Sequence, residues 1–342
     1  MSLRTAGGAR HRRVLAATAL AATTAVAGLV GAVPAQAAPV TLVRCPAQNL
    51  QTAIDSVPAG STLLVSGTCT GNFTIDKNLS LVGLGATLDG NRTGTVVTVA
   101  AGVRAQLTNL RITNGLSSGP FQGGGITNLG TLTLTRSSLT SNNATFYGGG
   151  IYNSGAVTLT GSTVSANGGN LGGGIFNGGG TVRLTSSTVS GNFAVSGAGV
   201  FTSDGTVQLV GTRVTHNSAS TVAGGGGGIV NGFGTVTLTN STVDYNTGWV
   251  SGGIDSSGTT RLTNSQVSRN TATTFGGGIR NIGGPVTLTN STVDHNQAGT
   301  DGGGIYNTSV FGTATVTLNR SRVFTNTPNN CAPPGSVPGC SG

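Results

Sequence analysis

The sequence contains no glutamate, and its only methionine is Met1. Charged residues make up 7% of the 342, and one tryptophan, four tyrosines and three histidines complete the scarce types. Helices draw on Ala, Leu, Glu, Lys, Gln and Met, so an all-helical protein is excluded. Val, Ile, Leu and Thr are plentiful and regularly spaced, which excludes a disordered charged tail. The 60 glycines follow no three-residue period and prolines number only ten, which excludes collagen. No CxxC occurs, and no histidine stands close to a cysteine, so neither a metal site nor a redox pair is expected. An extended β protein remains.

The first segment carries Arg4, Arg10, Arg12 and Arg13 ahead of an apolar run over 14–33, followed by Ala35-Gln36-Ala37. That is the pattern of a secretory signal peptide over residues 1–37, and Arg12-Arg13 resembles a twin-arginine signal. The product from Ala38 onward is expected to be secreted and extracellular, and no later run is long enough to span a membrane. Four of the 17 Lys+Arg lie in the signal, leaving thirteen against eight aspartates. Those arginines are scattered singly, so nucleic acid is not the expected partner. Four cysteines fit an oxidising compartment. Cys45 and Cys69 are 24 residues apart, close to the repeat period described next. Neighbouring coils would bring them to ~4.8 Å, within disulfide range, and such a bridge contributes roughly 3 kcal/mol. Cys331 and Cys340 are expected to staple a tail over 327–342.

Internal repetition is the strongest signal. Gly123-Gly124-Gly125-Ile126 recurs with its isoleucine at 151, 175, 229, 254, 279 and 305, and Val200 replaces it once. The steps run from 24 to 29 residues. A second series holds Asn142, Asn167, Asn192, Asn217, Asn246, Asn270, Asn296 and Asn326, with Asn114 as its expected beginning. Between the two lie alternating blocks such as Val157-Thr158-Leu159-Thr160. Each block reads as a short half-buried strand. Three strands per coil, broken by Gly and by Asn in a left-handed turn conformation, predict a solenoid whose stacked coils share one core. Asparagines stacked in this way are also expected to hydrogen-bond between coils. Leu50, Ala53, Ile54 and Val57 fall at helical spacing before Pro58, which predicts an amphipathic helix capping the first coil. The domains read as 38–100 for the cap and first coils and 101–326 for the repeats. The fold class is all-β: a right-handed parallel β-helix of roughly twelve coils, about 55–60 Å long.

These features resemble the pectate-lyase-like right-handed parallel β-helix proteins. The paired motifs Gly-Gly-Gly-Ile and Val164-Ser165-Ala166-Asn167 resemble the GG-A/I and FxxN repeats of polymorphic outer-membrane proteins, with valine in place of phenylalanine. The resemblance covers roughly 100–326 and departs from that family in lacking a C-terminal barrel. It implies polysaccharide lyases or glycoside hydrolases as the enzymatic relatives, with calcium as a cofactor only in the lyase case.

Enzymes of that kind need clustered carboxylates with a metal or a base. Asp244 and Asp294 hold equivalent positions two coils apart, ~9–10 Å by strand spacing, with Arg269 on the coil between. These three are the candidate catalytic residues if the chain is an enzyme. The competing expectation is that Asp244 and Asp294 are solvated outward residues, and that Asp255 with Arg280 is a surface ion pair. Polygalacturonase motifs are absent, and no cofactor or metal is otherwise expected.

Aromatic residues suggest binding instead. Tyr147 and Trp249 lie in connections that lead to the glycine triplets. Tyr152, Phe176, Phe201 and Tyr306 follow the corner isoleucine or its valine substitute and should face outward. Together they are the candidate binding face for a polysaccharide or cell-surface component; the competing expectation is that these rings stack on one another and cover the side of the core. The connections from Asn114 to Ile126 and from Asn217 to Ile229 are the longest before their glycine triplets, as insertions on a binding face often are. A Thr-x-Thr array (Thr133/Thr135, Thr158/Thr160, Thr237/Thr239, Thr287/Thr289) resembles that of ice-binding solenoids, but Arg183, Gln208, Val210 and Arg261 interrupt it. The function read from the sequence is a secreted, non-catalytic, glycan- or surface-binding or structural β-helix, with a polysaccharide lyase or hydrolase as the alternative.

Overall fold

The computed structural model describes residues 39–220 and 225–341, so the expected signal peptide lies outside the described residues. The described chain is a parallel β-helix of about twelve coils with a single short helix. Four rows of strands run along it. The long-strand row begins at Val40–Arg44 and ends at Thr315–Asn319, and the short-strand row runs from Thr68–Thr70 to Arg322–Phe324. The glycine–isoleucine row runs from Phe73–Ile75 to Cys331–Ala332. Short bridging strands from Leu116–Ser117 to Gln297–Ala298 form a fourth row where three were expected.

Alternation explains the packing. Side chains on a strand point to opposite faces with period two, so Leu132 and Leu134, Val157 and Leu159, and their counterparts fall inside at no more than 1% exposure. In the short-strand row one residue per strand points inward, as Val164, Val189, Val214, Val243 and Val267 do. The threonines between the inward residues of the long strands form the outer columns expected from the Thr-x-Thr pattern.

The corners are held by three polar ladders. In the first, the Nδ2 of Asn142 donates to Asn167 Oδ1 at 3.0 Å, and the same bond repeats at 2.9–3.0 Å through Asn192, Asn217, Asn246, Asn270 and Asn296 to Asn326. The inter-coil bonding expected of these asparagines is present. Their expected left-handed backbone is not. The left-handed turn falls one residue earlier, at Ser141, Ala166, His216, Tyr245, Arg269 and His295. The asparagine after the turn is directed inward, where its amide satisfies groups on both neighbouring coils. Asn114 does not begin this ladder. It occupies the left-handed position itself, and the N–H of Gly115 donates to Asn142 Oδ1 at 2.9 Å.

A serine ladder went unread in the sequence. The N–H of Ser137 donates to Ser162 Oγ at 3.1 Å, and the same bond links Ser162 to Ser187 and Ser241 to Ser265. The third ladder joins Asn128 to Asn153 at 2.7 Å and Asn153 to Asn177 at 2.8 Å. The glycine triplets form their corner because no Cβ fits there. One added at Gly124 would meet the carbonyl oxygen of Asn143, and one at Gly149 that of Gly168.

Both ends are closed. Asn49 caps the helix Leu50–Ser56 by accepting from the Thr52 N–H at 3.0 Å, as an N-cap side chain does. Leu50 and Ile54 are buried. The Gln51 amide accepts from the Thr74 N–H at 2.8 Å and donates to the Thr74 carbonyl at 3.1 Å. It thereby takes the place a preceding coil would hold beside Phe73–Ile75. Cys45–Cys69 and Cys331–Cys340 are bridged, with Cα separations of 5.0 and 6.3 Å. Val337 of the tail is buried over the last coil.

Candidate functional site

The short-strand row brings two aspartates, two histidines, three arginines and two aromatic rings onto one outer face. Its strands bury the central residue, so the residues on either side form two outward columns, and the left-handed corner position adds a third. Arg213 and Gln266 stand in the first column, Asp244, Asp294 and Phe324 in the second. His216, Tyr245, Arg269 and His295 occupy the third.

Asp244 and Asp294 differ from the expectation of solvated carboxylates. Their side chains are only 7% exposed, and both are fully engaged. Arg213 donates to Asp244 through Nε at 3.1 Å and through Nη2 at 2.6 Å. Hydrogen bonding to this carboxylate raises the arginine's pKa above its ordinary value. Asp294 accepts from Gln266 Nε2 at 2.9 Å, and its other oxygen lies 2.8 Å from His295 Nδ1. Burial of a carboxylate is offset only by partners of this kind. Arg269 lies on the coil between the aspartates, one residue beyond Ser268, which is in register with both, and among the described residues it pairs with neither. Its guanidinium lies over the Tyr245 ring, 5.7 Å from the centroid. The expected trio of Asp244, Arg269 and Asp294 is therefore placed on one face but not joined.

Tyr245 in turn stacks on His216 at 5.0 Å with 12° between planes, and His216 Nδ1 lies 2.8 Å from Thr215 Oγ1. Farther along, the Arg322 guanidinium lies 5.1 Å over the Phe324 ring. Sequence reasoning missed Arg213 and Gln266. Each stands two residues before the second-column position and one coil before the aspartate it serves, at separations of 31 and 28 residues. That shared diagonal offset was the available signal.

The aromatic row follows the competing expectation of rings stacked on one another against the core side. Tyr152 and Phe176 lie outside the coil as expected but are covered, at 6% exposure. Tyr152, Phe176 and Phe201 stack coil on coil at 5.7 and 5.4 Å, with 9° and 13° between planes. Tyr147 lies 4.5 Å from Phe176 and covers the row, while Phe121 lies over both Tyr147 and Tyr152. The long connection before Ile126 carries Phe121, so its extra length lets the chain fold back across these rings. Burial is the larger cause of a raised Tyr152 pKa, and Tyr147 adds to it. Tyr306 sits apart from this stack and pairs with Phe275 at 4.6 Å. Trp249 has no ring partner among the described residues, and its carbonyl accepts from Thr274 N–H and Oγ1. Asp255 and Arg280 fill the same row. Their bidentate pair, at 2.8 and 2.9 Å, is largely buried, with side chains 9% and 18% exposed, which corrects the expected surface pair.

No family model matches the chain, and no curated protein matches its sequence. A solved structure, an alginate lyase from Paenibacillus sp. str. FPU-7, is similar to it with a TM-score of 0.44 and 14% identity, covering 87% of this chain and 97% of that chain.

Proposed function

We propose that the chain is an exported, non-catalytic β-helix protein that binds an acidic polysaccharide along the outer face of its short-strand row. One observation carries this reading. Arg269 and Arg322 lie over the rings of Tyr245 and Phe324 with no carboxylate partner among the described residues, whereas the neighbouring carboxylates Asp244 and Asp294 are held by other side chains. Cations beside aromatic faces suit a sugar ring that carries a negative substituent. Export is supported by the two disulfides. The Tyr152–Phe176–Phe201 row is assigned to packing, since two of its three rings are buried. The test is retention on immobilised polyuronate compared with a neutral glucan. Retention on polyuronate alone, lost in Arg269→Gln with Arg322→Gln, is expected. Equal retention on both matrices would sink the reading.

A lyase is the second reading, favoured by the contact between His295 and Asp294. Asp294 orients the imidazole through Nδ1, leaving Nε2 of a side chain 47% exposed as a base. Proton abstraction beside a uronate carboxylate would then draw on Arg269 or Arg322 for charge stabilisation. The measurement is the ultraviolet absorbance of unsaturated product during incubation with polyuronates, with and without calcium. Product formation that disappears in His295→Ala would establish turnover.

A further inference from the structure

A second basic cleft opens on the same face, toward its N-terminal end. Arg111 and Arg136 line it on adjacent coils, together with Thr87, Ser138 and Thr163, and its volume is about 660 Å³. Gly85 and Gly161 contribute no side chains to its wall, and a Cβ at either would meet open space or only the Arg136 side chain. Arg111 faces outward because its neighbour Ile112 is fully buried. Arg136 takes the left-handed turn that precedes the short strands, at the opposite end from the corner of His216 and Arg269, with φ of 48°, and its side chain runs over Gly161.

Arg104 and Arg261 are likewise exposed and unpaired among the described residues, so what sets this pair apart is the cleft it shares. Arg213 and Arg280 are bonded to aspartates, and Arg183 donates to Gln208 at 2.7 Å. Arg111 and Arg136 are exposed, and among the described residues neither side chain has a hydrogen-bond or ion-pair partner. Asp89 on the preceding coil is in register with Thr113, not with Arg111, and accepts from the Asn91 N–H and from Asn114 Nδ2. The hydroxyls of Thr87, Ser138 and Thr163 stand in the Arg111 column with no intramolecular bond among the described residues. Two guanidinium groups flanked by free hydroxyls form an oxyanion-binding arrangement.

We infer that this cleft is a second anion subsite, taking a carboxylate or sulfate ester carried on a sugar ring. The inference rests on the acidic-glycan reading above and extends it to a chain lying along the helix axis. Arg136 is five coils from Arg269, about 24 Å along the axis at strand spacing, and at the other end of the short strands, so only a glycan of more than that reach engages both subsites. Joining them in one ligand raises affinity through effective concentration, without new contacts.

The experiment titrates the full exported chain with polygalacturonate and dextran sulfate of graded length, and with inorganic sulfate, by calorimetry. For Arg111→Gln with Arg136→Gln, long acidic chains should bind about tenfold more weakly, while oligomers too short to bridge the subsites bind Arg269 and Arg322 as before. Preference for polygalacturonate or dextran sulfate in the cleft identifies the substituent as carboxylate or sulfate. Long-chain affinity unchanged in this variant, yet lost in Arg269→Gln with Arg322→Gln, overturns the second subsite alone. No binding of either polymer by the unaltered chain overturns both readings.

Discussion

Arg213 reaches across one coil boundary to place Nε and Nη2 on the two carboxylate oxygens of Asp244. The pair is asymmetric in exposure, 51% for the arginine side chain and 7% for the aspartate. Removing each partner should therefore have unequal consequences. Arg213→Ala leaves a buried carboxylate without its cation and should cost about 1–3 kcal/mol. Asp244→Ala leaves an arginine that water can solvate and should cost less than about 1 kcal/mol. Urea unfolding of the two variants and the double variant checks this order. Equal costs would mean that the carboxylate finds other partners.

The asparagine ladder predicts a larger loss from a single buried residue. Asn192 Nδ2 donates to the Val164 carbonyl and to Asn217 Oδ1, and its own Oδ1 accepts from the N–H and Nδ2 of Asn167. Asn192→Ala strands buried groups on both neighbouring coils and should cost at least about 3 kcal/mol. Asn192→Asp keeps the acceptor, loses both donors and faces Asn217 Oδ1 with a negative oxygen, so it should be no milder. Thermal unfolding of both variants provides the measurement.

The third ladder is broken at two rungs, and the breaks leave orphans. Thr202 accepts from Asn177 Nδ2 but gives its own proton to the Asp204 carbonyl. Asn231 Oδ1, one coil on, is buried with no partner. Thr202→Asn would continue the ladder, supply that partner and stabilise the fold by about 1 kcal/mol. At the next break, Ser256 and Thr260 share a hydrogen bond at 2.8 Å, and Thr260 Oγ1 accepts from Asn231 Nδ2. Repair there requires Ser256→Asn together with Thr260→Val, because Ser256→Asn by itself would crowd the Thr260 hydroxyl. A lower unfolding midpoint for Thr202→Asn would refute the ladder account.

Burial raises the Tyr152 pKa, which ties stability to alkaline pH. The unfolded chain loses its phenolic proton first as pH passes the ordinary value of 10.0. The contribution of the buried neutral phenol is complete below that pH and is lost as pH climbs through the folded-state value. Tyr152→Phe keeps the stacked ring and removes the titration, so its unfolding midpoint should decline less steeply above pH 10 than that of the unaltered chain. Parallel slopes for the two proteins would place the alkaline loss elsewhere.

The parallel β-helix was legible in the sequence because its causes are local and repeated. Inward Leu134 and Val164 alternate with polar neighbours at period two, glycine triplets mark a corner that excludes Cβ, and stacked asparagines recur once per coil. Helical spacing at Leu50 and Ile54 marked the cap, and the 24-residue separation of Cys45 and Cys69 marked their bridge. What one coil does to the next required the tertiary structure. Arg213 and Gln266, which hold Asp244 and Asp294, lie on the preceding coil, 31 and 28 residues away, and their common diagonal offset becomes a contact only once the coils are stacked. The covering of Tyr152 and Phe176 depends on how Phe121 and Tyr147 fold back from their connections. Alternation places a side chain outside the coil, but only packing by the neighbouring chain decides whether that outside meets water.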